Sequence, residues 1–386
     1  MKIAYLGKIQ LSDVDMSYLH EAQQQADITY LMEVNPRFMK GPAFNIQQLY
    51  PKSGIFKAVD AYPEVKKFGS FIDLDKFYII NTTGRFWQLK SFWTYFLLLL
   101  FLVRHGFQVL HLVWPPNIYE FCIYILRKRM ILTVHDPFPH SGLDTFIVRL
   151  RRRMAFRQIP RFIILNKAQR QAFIEFYHID PKRVVDSRLS CYTYLRTVPD
   201  CPDLTEKDRS YILFAGKISP YKGLDYLLPA MEKVHQQCPD CKLVVAGGGK
   251  FHFDISQYLS LDYIDIRNRF IPDNELTALI KNAAFIVCPY TDATQSGVVM
   301  SAFAFNKPVI VTNVGGLPEM VRHQHYGLVV KEKDANALAE QIIWLWKRPD
   351  MQEAFSSKIR RDYSTGALSW KKIAEDLYTE YKKSIQ

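Results

Sequence analysis

Two successive series of short apolar runs, each separated by stretches of helical periodicity, constrain this chain more than any other feature. The first series is "KIAYLG", "ITYLM", "KFYII", "VLHLVW", "MILTVHD" and "RFIIL"; the second is "YILFAG", "KLVVAG", "IDIRNRF", "FIVCPY", "PVIVT" and "GLVV". Most are rich in β-branched or aromatic residues and lack polar alternation, as strands buried on both faces are. Helical segments such as "LDYLLPAMEKVHQQ" and "NELTALIKNA" lie between them. Strand–helix alternation of this kind implies an α/β protein, here with two doubly wound parallel sheets. At 386 residues and 48% hydrophobic, the chain also exceeds one ordinary core. The break falls at 196–210, "RTVPDCPDLTEKDRS", which is polar, aperiodic and carries Pro199 and Pro202. The expected organisation is a domain over 1–195, a linker over 196–210, a second domain over 211–368 and a final helix over 369–386. In that helix Trp370, Ile373, Ala374, Leu377, Tyr378 and Tyr381 form one stripe, which must bury against something.

The formal charge is +12 and unevenly spread: residues 1–195 hold 26 Lys and Arg against 15 Asp and Glu, residues 196–386 hold 24 against 23. A basic first half points to an anionic partner, a membrane surface or a nucleic acid. No nucleic-acid module accompanies the charge, so the membrane is favoured. The surplus concentrates at "RKR" (127–129) and "VRLRRRMAFR" (148–157). Around the latter, Phe146, Leu150 and Met154 mark one helical face and Arg149, Arg152 and Arg153 another. That is the pattern of a basic amphipathic helix with arginines on lipid phosphates and its apolar face inward or in the interface. The run "FWTYFLLLLFLV" (92–103) falls short of the roughly 20 residues a membrane span needs, so it is expected to be a buried or interfacial helix. "MKIAYLGKIQ" reads as a strand entering a loop rather than a signal peptide. Six scattered cysteines include one CxxC, Cys238 to Cys241, with no second pair, which suits a turn in a reducing cytosol.

Ligands of open parallel sheets bind beyond the carboxyl ends of the strands. There the second half offers Gly216, Lys217 and Lys222 before a helix, two ammonium groups suited to a pyrophosphate. "GGKF" (248–251) is not a phosphate-binding Walker loop, and no GxGxxG follows the first strand, so a dinucleotide cofactor is disfavoured. Gln295, Ser296 and Gly297 precede a helix whose first N–H groups, at Ser296, Gly297 and Val298, can bind phosphate oxygens. Gly315 and Gly316 allow close backbone approach to a ligand. In the first half, His135-Asp136 ends a strand, where a histidine can hydrogen-bond a sugar hydroxyl or a leaving oxygen. The pairs His135 with His140 and His323 with His325 lack a third ligand, so no metal is expected.

"ILFAGKISPYKGLDYLLPA", "LVVAGGG", "IVCPY…SGVVMSAFAFNKPVIVTNVGGLPEMV" and "YGLVV", in that order across 211–330, resemble the donor domain of family 4 glycosyltransferases. His111 in "VLHLVWPP" and "LTVHD" extend the likeness to the first half. The resemblance implies the GT-B fold: two Rossmann-like domains around a cleft, nucleotide-sugar on the C-terminal side, acceptor on the N-terminal side, and a last helix crossing back. It also implies retention of anomeric configuration and no metal or cofactor, the nucleotide-sugar being a substrate. By position, Lys217 and Lys222 match the pair on the diphosphate, and Gly297 the glycine whose neighbouring amides hold the donor. His135 matches the histidine near the transferred sugar, and Arg269, Phe270 and Ile271 the segment facing the nucleobase. The family's Glu-x7-Glu pair is absent: its second member falls on Ser301 and its first on Ala293 or Thr294, with Asp292, Thr294 and Gln295 the polar residues nearby. The resulting expectation is a working but divergent retaining glycosyltransferase with a lipid-linked or glycan acceptor, cytoplasmic and peripheral on the inner face of the membrane. A catalytically impaired, nucleotide-binding homologue and a nucleotide-sugar epimerase remain alternatives.

Overall fold

Each apolar run named above becomes a strand of one of two sheets, because a both-face-buried strand needs helices on either side and the intervening segments supply them. The computed structural model describes residues 1–84, 88–138, 145–202 and 211–385. The chain divides into two compact units, Met1–Leu189 with Trp370–Gln386, and Ser190–Ser369.

In the first unit the strands are β1 (Lys2–Lys8), β2 (Asp27–Val34), β3 (Gly54–Lys57), β4 (Phe77–Asn81), β5 (Val109–Leu112), β6 (Met130–Val134), β7 (Arg161–Ile164) and β8 (Val184–Asp186). They run in the order β3-β4-β2-β1-β5-β6-β7-β8. The helices are α1 (Ser12–Gln25), α2 (Ala58–Ala61), α3 (Leu89–Arg104), α4 (Phe146–Gln158) and α5 (Arg170–Tyr177), with a 3-10 stretch over Ile118–Arg129. The sheet is not purely parallel: β3, absent from the sequence reading, pairs antiparallel with β4. Its sequence, GIFK, is mostly half-buried and lacks the apolar run that marks a strand buried on both faces, and an antiparallel edge on a parallel sheet is common.

The second unit holds β9 (Tyr211–Ala215), α6 (Leu224–Gln237), β10 (Lys242–Ala246), β11 (Ile264–Arg267), α7 (Asp273–Asn282), β12 (Ile286–Cys288), α8 (Gly297–Ala304), β13 (Val309–Thr312), α9 (Leu317–Val321), β14 (Gly327–Val330), α10 (Ala335–Trp346) and α11 (Pro349–Ser364). Its strand order, β11-β10-β9-β12-β13-β14, is all parallel and is that of a dinucleotide-binding doubly wound sheet. Phe214, Leu227, Met231, Val245 and Ile310 lie in its fully buried core.

The last helix, α12 (Trp370–Ile385), belongs to the first unit. Its stripe of Trp370, Ile373, Ala374, Leu377 and Tyr381 is buried, while Tyr378 at its margin is half-buried. The Tyr381 hydroxyl meets His111 Nδ1 at 2.5 Å and the Tyr18 hydroxyl on α1 at 2.8 Å.

Two expectations need correction. Residues 190–195 do not go with the first half: the Tyr192 N–H donates to Met300 O at 3.3 Å, and Arg196 Nε donates to Ala304 O at 2.7 Å, so the segment packs within the second unit. Of the expected linker, 203–210 lies outside the described residues. In α4 the buried face is Arg152, Ala155 and Phe156 with the following Ile159, whereas Phe146, Leu150 and Met154 are exposed. Arg152 therefore cannot bind lipid phosphates; its Nη1 donates to the carbonyls of Asp136 and Pro137 at 2.7 and 2.8 Å. Residues 152, 155, 156 and 159 also follow i, i+3, i+4, i+7, so two stripes competed, and Phe156, packed edge-on against Phe162 and Phe173, won. Arg149 and Arg153 remain exposed.

Candidate functional site

The order of the second sheet reverses between β9 and β12, so the loops after these strands flank its crevice. They are locked together by backbone. Gly223 has φ of 71° and a Cβ there would stand 1.8 Å from Pro289 O. Only glycine tolerates both the left-handed conformation and that approach. The Thr291 N–H donates to Tyr221 O at 2.8 Å, completing the tie. Gly216, at the end of β9, faces the start of α8: a Cβ there would lie 3.4 Å from Val298 Cγ2.

This scaffold holds Lys222 in an unusual setting. Its Nζ sits 3.7 Å from the ring centroid of Tyr290 and 5.1 Å from that of Tyr221. An aromatic face stabilises an ammonium by its quadrupole but does not neutralise it. Among the described residues no carboxylate pairs with Lys222 or with the exposed Lys217. Burial lowers the Lys222 pKa to about 8. The neighbouring Cys288 thiol is pushed up to about 11 by its own burial and is neutral. Tyr221 and Tyr290 escaped the sequence reading; Tyr290, two residues past β12 on the carboxyl edge, carried the positional signal that could have found it.

Beside this lysine, α8 begins. The Ser296 hydroxyl, which accepts from Val299 N–H at 3.4 Å and lies 3.2 Å from the Tyr290 hydroxyl, caps it. The N–H groups of Gly297 and Val298, in the first turn, have no intrahelical acceptor and carry the positive end of the helix dipole. Tyr192 stands over this end; a Cβ on Gly297 would be 3.1 Å from its hydroxyl oxygen. Thr294 O accepts from Gly316 N–H at 3.1 Å, so the loop bearing Thr294 and the half-buried Gln295 leans on the glycine turn after β13. At Gly315, φ is 51° and a Cβ would meet Ala293 O at 1.4 Å. Ser301 is buried one turn into α8 and donates its Oγ to Gly297 O at 2.9 Å.

Arg269, Phe270 and Ile271 follow β11. Arg269 grips Glu275 with Nη1 and Nη2 at 2.8 and 2.6 Å, and this holds the Glu275 carboxyl below its ordinary pKa. Phe270 is 77% exposed, Ile271 half-buried. A Cβ on Gly248, after β10, would lie 3.2 Å from the Arg269 carbonyl carbon, which puts the two loops in contact. The structure thus brings Gly216, Lys222, Ser296, Gly297 and Val298 together, with Thr294 and Gln295 leading into α8 and Arg269 to Ile271 two strands along the same edge.

His135 is in the first unit, immediately after β6. Its Nε2 is buried without a hydrogen-bond partner, and burial lowers its pKa to about 4 against the pull of Asp136. The imidazole is therefore neutral at pH 7. With His111, Thr133, Tyr18 and Trp370 it lines a cavity of about 30 Å³ within that unit, room for one water. His111 is also neutral, its pKa about 3, and spends both nitrogens on Tyr381 and Thr133. His140 lies outside the described residues.

Residues 209–348 match the model of the family described as "Glycosyl transferases group 1". An uncharacterized glycosyltransferase of Methanocaldococcus jannaschii is 29% identical over 188 residues, 47% of either chain. The protein YtcC of Bacillus subtilis is 39% identical over 134 residues, 32% of this chain and 33% of its own. The chain thus spans about half, or less, of the length of these curated relatives. Among solved structures, Anabaena HepE in complex with UDP has a TM-score of 0.69 at 14% identity, covering 99% of this chain and 100% of its own; HepE also has a complex with UDP-glucose. The chain thus has the GT-B fold, two α/β units each built on a doubly wound sheet.

Proposed function

We propose that this chain is a retaining glycosyltransferase that moves a sugar from a nucleotide-sugar to a lipid-linked or glycan acceptor, the nucleotide-sugar being a substrate and no cofactor taking part. The observation that carries the reading is Lys222: a half-buried ammonium with no carboxylate partner among the described residues, held by aromatic rings beside a helix N-terminus. Burying an uncompensated cation costs stability, so its retention makes sense where an anion completes the site. The donor diphosphate would lie between Lys222, Lys217 and the Gly297 and Val298 amides, which meet the negative charge that develops as the glycosidic bond breaks. The departing phosphate oxygen takes the acceptor proton, and attack on the face it leaves gives retention. The backbone of Arg269 to Ile271 faces the nucleobase. The neutral His135 imidazole is available to a sugar hydroxyl. The basic first unit suits an anionic membrane, and the enzyme would work on the inner face of the cytoplasmic membrane.

A specific observation favours a second reading. Ser301, where the related pattern has a carboxylate, spends its hydroxyl on Gly297 O, and no acid stands at 293, 294 or 301. A chain that binds nucleotide-sugars without turning them over would look the same.

Ligand-observed NMR with UDP-, GDP-, ADP- and CMP-sugars, on wild type and Lys217→Ala/Lys222→Ala, tests both. Selective binding with slow hydrolysis, weakened about a hundredfold or more in the double variant, supports the transferase. Binding without hydrolysis, with or without added acceptor, supports the second reading. Donor turnover indifferent to the two lysines overturns the site.

A further inference from the structure

Among the described residues, eleven of the 17 exposed large hydrophobics fall on three segments of the first unit: α3, Ile118–Arg129 and α4. On α3 they are Leu89, Trp93, Phe96, Leu100 and Val103, spaced 4, 3, 4 and 3, a single outward stripe along the helix. Trp93 is 58% exposed while Ser91 and Thr94 are buried, the reverse of an ordinary surface helix. Phe121 and Ile125, the latter 71% exposed, continue the surface on the 3-10 stretch that packs against α3. Phe146, Ile147, Leu150 and Met154 are exposed on α4, which also packs against that stretch.

Charge frames this surface with one sign. Lys90 and Arg104 mark the two ends of α3, Arg127 and Lys128 the end of the middle segment, and Arg149 and Arg153 flank the apolar stripe of α4, all exposed. Between residues 89 and 135 the one acidic residue is Glu120, and it is buried against Lys8; α4 has none. Exposed apolar residues gathered on three segments, the middle one packed against both others, are what an interaction surface presents. Its uniform positive rim decides the occupant. A second copy of the chain would set these cations against their own images, which like-charge repulsion opposes. A bilayer bearing anionic lipid satisfies both components at once. No helix among the described residues is long and apolar enough to cross a membrane.

We propose that α3, Ile118–Arg129 and α4 form one monotopic docking face for an anionic lipid bilayer, with the Trp93–Phe96–Leu100 ridge of α3 entering the acyl boundary and Arg149 and Arg153 meeting lipid phosphates. This deepens the membrane part of the proposed function, and vesicle binding reads it separately from donor turnover.

The test is flotation of the full chain with vesicles of phosphatidylcholine alone or with about a third phosphatidylglycerol, at low and high salt. Wild type is expected to float with the anionic vesicles, and brominated lipid is expected to quench an emission that Trp93→Phe lacks. Trp93→Glu/Leu100→Glu should lose binding by tenfold or more while keeping its far-UV circular dichroism and nucleotide-sugar hydrolysis. Arg149→Gln/Arg153→Gln should weaken binding about fivefold per arginine and flatten its salt dependence. Wild type that floats with neither vesicle, or glutamate substitutions without effect on flotation, would overturn the proposal. So would a wild-type dimer that Leu100→Glu dissociates, since a second copy would then cover the face.

Discussion

The two sheets share a strand order and differ in how charge is settled at their carboxyl edges. In the second unit β11-β10-β9-β12-β13-β14, and in the first β4-β2-β1-β5-β6-β7, both wind outward from a central reversal. At the edge of the first sheet the ionic groups satisfy one another. Lys8, ending β1, pairs with Glu33 at the end of β2 and reaches Glu120 at 3.0 Å. Asn35 donates to Glu33 at 2.9 Å and Asn117 to Glu120 at 2.5 Å. At the edge of the second sheet, Lys222 has tyrosine rings where Lys8 has two carboxylates. The topology supplies a crevice in either case. What sets the second apart is a cation with no carboxylate partner among the described residues, held in place by backbone that only glycine permits; in the proposed function that cation would meet an anion.

The largest expected effect breaks that backbone. Gly223→Ala forces a Cβ onto Pro289 O in a left-handed conformation, and should destabilise the second unit by about 3 kcal/mol or more in urea unfolding. Gly106→Ala in the first unit is the matched control: φ is 66° but nothing lies within 4 Å, so strain alone should cost about 1 kcal/mol. Equal losses would mean that the loop after β9 yields freely and does not position Lys222.

Next comes pH. In the proposed site the diphosphate would need the Lys222 ammonium, whose pKa in the folded chain is about 8. Nucleotide-sugar affinity should therefore hold below pH 8 and fall by up to about tenfold per unit above it, while Lys222→Met binds weakly and shows no such step. Stability should move the other way. Between about pH 8 and 10.5 the unfolded chain binds the proton that the folded chain has lost, so this group's penalty is full below pH 8 and fades above it. Lys222→Met should then be more stable than wild type at pH 7, by on the order of 1 kcal/mol. Wild-type affinity unchanged from pH 7 to 9.5 would remove Lys222 from the donor site.

The smallest effect concerns the first unit. Tyr381→Phe removes a hydroxyl shared by His111 and Tyr18, and should cost about 1–2 kcal/mol without changing nucleotide-sugar affinity.

Much of this molecule was legible before folding. Every apolar run named in the sequence is a strand, because both-face burial leaves a compositional mark that survives without long-range information. Lysines, glycines and the serine cap at Lys222, Gly223, Ser296 and Gly297 were readable because each follows a strand by a few residues, where the crevice must be. The stripe of α12 was readable too, because its period is local. Less legible were features that depend on which of two permitted arrangements tertiary packing selects. On α4 both the 146–150–154 and the 152–155–156–159 faces have helical spacing, and the Phe156 contacts with Phe162 and Phe173 turned Arg152 inward.

Sequence alone therefore determined the two α/β series and the loops that lie at the carboxyl ends of their strands, since these follow from local periodicity and from where strands end. Tertiary structure alone decided which charges are neutralised. Lys8 ends the first strand of one sheet and Lys222 lies in the loop after the first strand of the other, yet one is closed by glutamates brought from residues 33 and 120 and the other is left over Tyr290. The physical reason is that the fate of a charge depends on partners distant in the chain, and only the packed fold brings them within reach.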